Sequence, residues 1–155
     1  MKYFLLIFIF LLSACSIKNY EHTAAKIVII KSPKLKFSDL GYIRHTNDAI
    51  ELELFFAGHV YKKITINHLI CVDNGCMSKS SFNEEYLSQY YPSSLLQNII
   101  LGKAIYEGKN ILEQNDGFMQ EIKNLHVDIK YKVNAKEIYF KDRYNHILIK
   151  IKEVH

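Results

Sequence analysis

One apolar helical stretch constrains this chain more than any other segment. In Tyr90-Tyr91-Pro92-Ser93-Ser94-Leu95-Leu96-Gln97-Asn98-Ile99-Ile100-Leu101-Gly102, the residues Leu95, Leu96, Ile99 and Ile100 fall at helical spacing on one face. Ser93, Ser94, Gln97 and Asn98 occupy the other. Pro92 suits a first helical position, and Gly102 suits the residue just past the end. The segments on both sides alternate apolar and polar residues, which is the period of a strand. A sheet that is apolar on one side must be covered, and a helix inserted between two runs of strands supplies the cover.

A second helical segment precedes the first. Ser81 to Tyr90 carries Phe82, Tyr86, Leu87 and Tyr90 on one face, with Ser81 placed to cap it and Glu84 three residues on. Before the helices, strands are expected at 24–30, 41–44, 50–55 and 60–70, with Ser32-Pro33 making 31–40 a loop. In the third, Leu52 and Leu54 face in while Glu51 and Glu53 face solvent. After the helices come weak strands at 104–106 and 110–112, then 117–122, which suits a strand better than the competing helix, then strands at 126–133, 137–140 and 146–152, with 141–145 as a turn. Eleven Tyr, nine Phe and abundant Ile suit a sheet with one solvated face. The fold class expected is therefore α+β, mainly antiparallel β: a curved half-barrel sheet with a two-helix lid inserted mid-chain.

Residues 1–14 have the form of a leader. Lys2 supplies the basic start and Phe4 to Leu12 an apolar run too short to be a permanent membrane span. Leu12-Ser13-Ala14-Cys15 resembles the bacterial lipobox. That resemblance implies cleavage before Cys15, a diacylglyceryl thioether on its sulfur, and acylation of the new amino terminus. Ser16 stands where an Asp would resemble an inner-membrane retention signal. The default for a Gram-negative cell is then the outer membrane, on its periplasmic side, with the acylated Cys15 as a stable anchor. Residues 15–23 read as the lipidated tether and 24–155 as one domain.

Cys71 and Cys76 flank Asn74-Gly75, a strong hairpin signal. In an oxidising compartment such a pair is expected as a disulfide, with a four-residue loop setting Cys71 opposite Cys76. Free thiols and a metal or redox pair are the competing readings, although Cys-x4-Cys is not the Cys-x2-Cys of zinc ribbons or thioredoxin-like sites. The formal charge is +4, with acids interspersed among the lysines, which argues against a nucleic-acid partner. Seven histidines lack His-x3-His spacing, and neither a nucleophile elbow, a phosphate loop nor a dinucleotide fingerprint occurs. No catalytic residue, metal site or cofactor is expected.

The order strands, two helices, strands resembles the lipoprotein-carrier and lipoprotein-receptor superfamily of the Gram-negative periplasm (LolA/LolB-like), and within it a group of outer-membrane lipoproteins. The likeness rests on Tyr91-Pro92-Ser93-Ser94-Leu95-Leu96, on Ile129-Lys130-Tyr131, and on the run from Tyr139 to Ile151. The resemblance implies a space between sheet and helices that holds acyl chains. Candidate lining residues are Phe82, Tyr86, Tyr90, Leu95, Leu96, Ile99 and Ile100. The expected partners are the membrane, through the anchor, and an acyl chain or lipidated protein. The alternative is a structural or assembly lipoprotein that holds a protein partner and has no cavity.

Overall fold

The computed structural model describes residues 22–154, so Cys15, the leader and most of the tether lie outside the described residues. Eleven strands form one antiparallel sheet: β1 (His22–Lys31), β2 (Lys36–His45), β3 (Ile50–Phe56), β4 (His59–Ile66), β5 (Ile70–Val72), β6 (Gly75–Met77), β7 (Ile111–Gln114), β8 (Gly117–Lys123), β9 (Asp128–Asn134), β10 (Glu137–Asp142) and β11 (Ile147–Glu153). Two helices, α1 (Lys79–Tyr86) and α2 (Leu95–Ile100), separate β6 from β7. The strand order is β6-β5-β4-β3-β2-β1-β11-β10-β9-β8-β7, and the sheet is not closed. The chain thus starts in the middle, meanders outward to β6, crosses by the helices to the far edge, and meanders back until β11 pairs with β1.

Alternation on these strands builds one apolar face. Ile43, Leu52, Ile64 and Val72 stand opposite one another across β2 to β5. Ile30, Ile149, Phe140, Tyr131 and Gln120 form a matching row across β1, β11, β10, β9 and β8. The helices lie on this inner face: Tyr91 meets Phe140 edge-on at 5.9 Å, and Leu95, Leu96, Ile99 and Ile100 join the same core. Tight turns enforce the pairing. Ala57 (φ 50°) and Gly58 (φ 81°) both take left-handed backbone between β3 and β4, as a two-residue hairpin turn requires.

Several boundaries differ from expectation, each for a local reason. The loop expected over 31–40 is only residues 32–35, where Ser32 Oγ accepts from the Leu35 N–H and closes a tight turn, so β2 begins at Lys36. Helix α1 is capped by Ser78, not Ser81: the Ser78 hydroxyl accepts from the Ser81 N–H at 3.0 Å and starts the helix early. Pro92 is not the first residue of α2. It sits in a turn whose carbonyl accepts from the Leu95 N–H. Gly102 (φ 62°) ends α2 as expected, with its N–H on Ile99 O and the Lys103 N–H on Asn98 O, a Schellman arrangement.

Glu51 and Glu53 do face outward, but not into free solvent. Arg44 Nη1 lies 2.6 Å from Glu53 and 3.0 Å from Glu51, and Lys63 Nζ lies 2.7 Å from Glu51, which is only 4% exposed. The hydrogen bonds that Arg44 and Lys63 donate to the glutamates, to Glu53 and Glu51 respectively foremost, raise both cations above their ordinary pKa. Pairing of β2, β3 and β4 in register is what assembles these four residues.

Candidate functional site

Cys71 and Cys76 are joined by a disulfide across the β5–β6 hairpin, opposite each other as expected. One further pair, Val72 with Gly75, closes inside that loop, leaving Asp73 and Asn74 at the tip. Asp73 accepts from the Lys63 N–H and from Lys62 Nζ, both at 3.0 Å, and these bonds hold its carboxyl below the usual range.

Of the candidate lining residues, Phe82, Leu95, Leu96, Ile99 and Ile100 are all buried in the core. Tyr86 is half-buried and stacks on Phe82 at 4.8 Å. Tyr90 does not line the inner face. Helix α1 stops at Tyr86, and Tyr90 lies in the turns that follow, 47% exposed and stacked on His126 at 4.1 Å. Ser88 accounts for the departure: its hydroxyl donates to Asn145 Oδ1 and accepts from the Tyr90 N–H, which pins the connector to the β10–β11 turn.

The sheet has two ends. The end at which β1 starts is called proximal here, and the end holding the β1–β2 and β10–β11 turns distal. At the distal end the inner face is sealed by a polar knot. Asp142, fully buried, accepts from the N–H groups of Asp128, Tyr144 and Asn145, from Asn145 Nδ2 at 2.7 Å, and from Tyr91 Oη at 2.7 Å. Asn83, also buried, donates to the carbonyls of Tyr91 and Pro92 and fixes the connector from the helix side. Burial, then the hydrogen bond to Asp142, pushes the Tyr91 phenol far above its ordinary pKa. Burial, with Asp142 adding to it, raises Tyr106 to about 12.

At the proximal end α2 stops and the inner face opens. A groove of about 360 Å³ runs between the end of α2 and the sheet, floored by Ile43, Ile100, Val133, Ile138 and Ile151 and edged by Lys26, Lys136 and Lys152. A second space of about 410 Å³ adjoins it, and the two share His22, His45 and Leu101. The His22 and His45 rings stack at 4.7 Å across the β1–β2 pair. Lys26 reaches inward from β1 and is paired with Glu153 on β11.

Sequence reasoning placed the space under the whole helical stripe, whereas it lies at the end of that stripe. The floor residues were legible only as ordinary inward strand positions. The groove begins where α2 ends on the left-handed Gly102, which packs closely against Val133 and Ile138. Chemically, the groove offers an apolar surface with a charged rim, suited to binding. No family model, curated protein or solved structure matches this chain.

Proposed function

We propose that this is a lipid-anchored envelope protein of the outer membrane that binds an acyl chain, or the acyl chain of a lipidated protein, between a half-barrel sheet and a two-helix lid. The proximal groove carries this reading: it is concave, floored by aliphatic side chains, and bounded by the last turn of α2. The anchor supports it. Six residues, Ser16 to Glu21, separate Cys15 from His22 at the groove's rim. Fully extended, that span reaches about 25 Å, so an acylated Cys15 would keep the groove mouth near the bilayer. No chemical step is involved; uptake and release run on the ligand's differential affinity for states of the lid. The test is to purify the chain unacylated, as the Cys15→Ser variant, from cells and extract it with organic solvent. An acyl lipid in the extract by mass spectrometry is the expected outcome. A lipid-free extract, together with no uptake of added palmitoyl lipid, would sink the reading.

A second reading is an assembly lipoprotein that holds a protein partner. It is favoured by the β3–β4 hairpin, which exposes Phe56, Val60 and Tyr61 at its tip. A stoichiometric crosslinked partner that disappears when these three become Ser, with the lipid extract unchanged, would support it.

A further inference from the structure

Both helices pack on the inner face, so the outer face of the sheet has no second layer among the described residues. Its side chains are set by the alternation that fills the core. One residue along from Phe37, Ile30, Ile149, Phe140 and Tyr131, and therefore on the opposite face, a row runs in register: Lys36, Lys31, Leu148, Lys141, Lys130. The four lysines are exposed, and Leu148 between them is half-buried. Lys36 stands directly opposite Lys31, and Lys141 directly opposite Lys130. Like charges in direct cross-strand pairs destabilise a sheet, so this row favours a counter-charge from outside the fold. The neighbouring row on the same face reads Ile29, Lys150, Tyr139, Lys132, with Lys150 Nζ 5.5 Å from the Tyr139 ring centroid.

The acids that β8 to β10 set on this face are engaged: Glu121 by Lys130 at 3.5 Å, Glu137 by Lys150 at 3.0 Å and Asp128 by Arg143 at 2.7 Å. Lys31, Lys36, Lys132 and Lys141 have no ion-pair partner among the described residues. A space of about 420 Å³ is lined by Leu148 together with Lys31, Lys141, Arg143 and His146. Asp142 also borders it, but the carboxylate is engaged in the distal knot.

We infer that this outer face docks on a bilayer surface that contains anionic phospholipid, with phosphates over the lysines and with Leu148, Ile29 and Tyr139 at the level of the headgroups. The lysine row crosses five neighbouring strands, about 19 Å at strand spacing, which is more than one phosphate can neutralise. Its occupant is therefore a surface of repeated charges. Aliphatic side chains and a tyrosine set among lysines suit the interfacial layer of a membrane, where a phenol ring rests at headgroup depth. β1, which carries Ile29 and Lys31, is the strand that the tether joins to Cys15. The choice of a bilayer over another polyanion rests on the reading of Cys15 as a lipid anchor, and an acyl chain plus a basic face makes a two-signal attachment.

The test is co-sedimentation of the mature chain from residue 15, carrying Cys15→Ser so that neither leader nor acyl groups contribute. Binding to vesicles of phosphatidylcholine with about 30 per cent phosphatidylglycerol is expected to be at least about tenfold tighter than to phosphatidylcholine alone, and to weaken as salt is raised. Lys31→Gln with Lys141→Gln should lose about tenfold on the anionic vesicles and should unfold at no lower a temperature, because two like-charge pairs are relieved. Lys31→Arg with Lys141→Arg should keep the affinity. Lys103→Gln with Lys136→Gln makes the same change of net charge at the proximal rim and should lose less than about twofold. Equal binding to the two vesicles, or equal losses in the two Gln pairs, would overturn the inference. So would tighter binding to a DNA duplex than to the anionic vesicles at the same salt, which would make the face a nucleic-acid surface. Equilibrium dialysis of radiolabelled monopalmitoylglycerol, as the palmitoyl probe, tests the groove separately. Uptake without vesicle binding would leave the acyl reading standing and remove this one, and vesicle binding without uptake would do the reverse.

Discussion

The two ends of the inner face are built from opposite materials. At the distal end, a buried carboxylate gathers donors from β9, from the β10–β11 turn and from the helix connector, and so ties the connector to the sheet. At the proximal end the helix stops on a left-handed glycine, the contacts are aliphatic, and a groove remains. Hydrogen bonds are directional and fix one geometry, while aliphatic contacts tolerate sliding and substitution by another apolar group. Directional contacts thus fix the distal end, and softer apolar contacts bound the proximal one.

The most drastic way to break this asymmetry is alkali. Tyr91, Tyr106 and Tyr131 are all raised by burial, with Asp142 adding to the first two. A phenol whose folded pKa lies above its unfolded value of about 10 stabilises the fold fully below pH 10. That stability is lost as pH rises through the folded value, which for Tyr106 is about 12. The fold should therefore hold to about pH 10 and be lost over the next two units. Tyrosinate absorbance is expected to show two classes: exposed phenols ionising first, and buried ones ionising only together with the loss of far-ultraviolet circular dichroism. If every phenol titrates before the fold is lost, the distal end is not sealed.

Asp142→Ala attacks the knot directly. Five donors lose their acceptor, three of them backbone N–H groups in the β8–β9 and β10–β11 region. Each buried donor left unmade costs about 1–3 kcal/mol, and water entering the space would satisfy some of them. Urea unfolding should show a loss of about 4 kcal/mol. A loss under about 1 kcal/mol would mean that the knot is ornamental and that apolar packing alone closes this end.

Much of the sheet was readable because period-2 alternation and turn chemistry agree at Ile50–Ile66 and again from Gly117 onward. The distal knot was not. Asp142 and Asn145 lie in a polar run, Lys141-Asp142-Arg143-Tyr144-Asn145, that reads as a solvated turn. What buries Asp142 is a phenol 51 residues earlier in the chain, and no local pattern encodes that meeting. The same limit hid the Arg44–Glu51–Glu53–Lys63 cluster, which exists only once three strands are in register. Tyr90 was misplaced for a different reason. Helical spacing continued on paper past Tyr86, but Ser88 found a partner in Asn145 and drew the chain out of the helix. The groove was partly legible, since the helical stripe and the inward strand positions were both read, yet where the helix would stop over the sheet was not.

The finest comparison is between two leucines six residues apart. Leu95 is fully buried in the first turn of α2, whereas Leu101 caps the helix, is half-buried, and lines both proximal spaces. Leu95→Ala removes a filled core position and should cost about 3 kcal/mol of stability. Leu101→Ala leaves its site facing the groove, where water can enter, and should cost less than about 1 kcal/mol. Binding should invert the order. The folded fraction of Leu95→Ala should keep its affinity for the palmitoyl probe, while Leu101→Ala should lose about fivefold through lost apolar contact. Urea unfolding and equilibrium dialysis on the same two variants separate the cases. Equal stability losses would mean that the proximal end is as closed in solution as the distal one. Equal affinities would mean that the probe sits elsewhere, and the functional asymmetry between the two ends would fall.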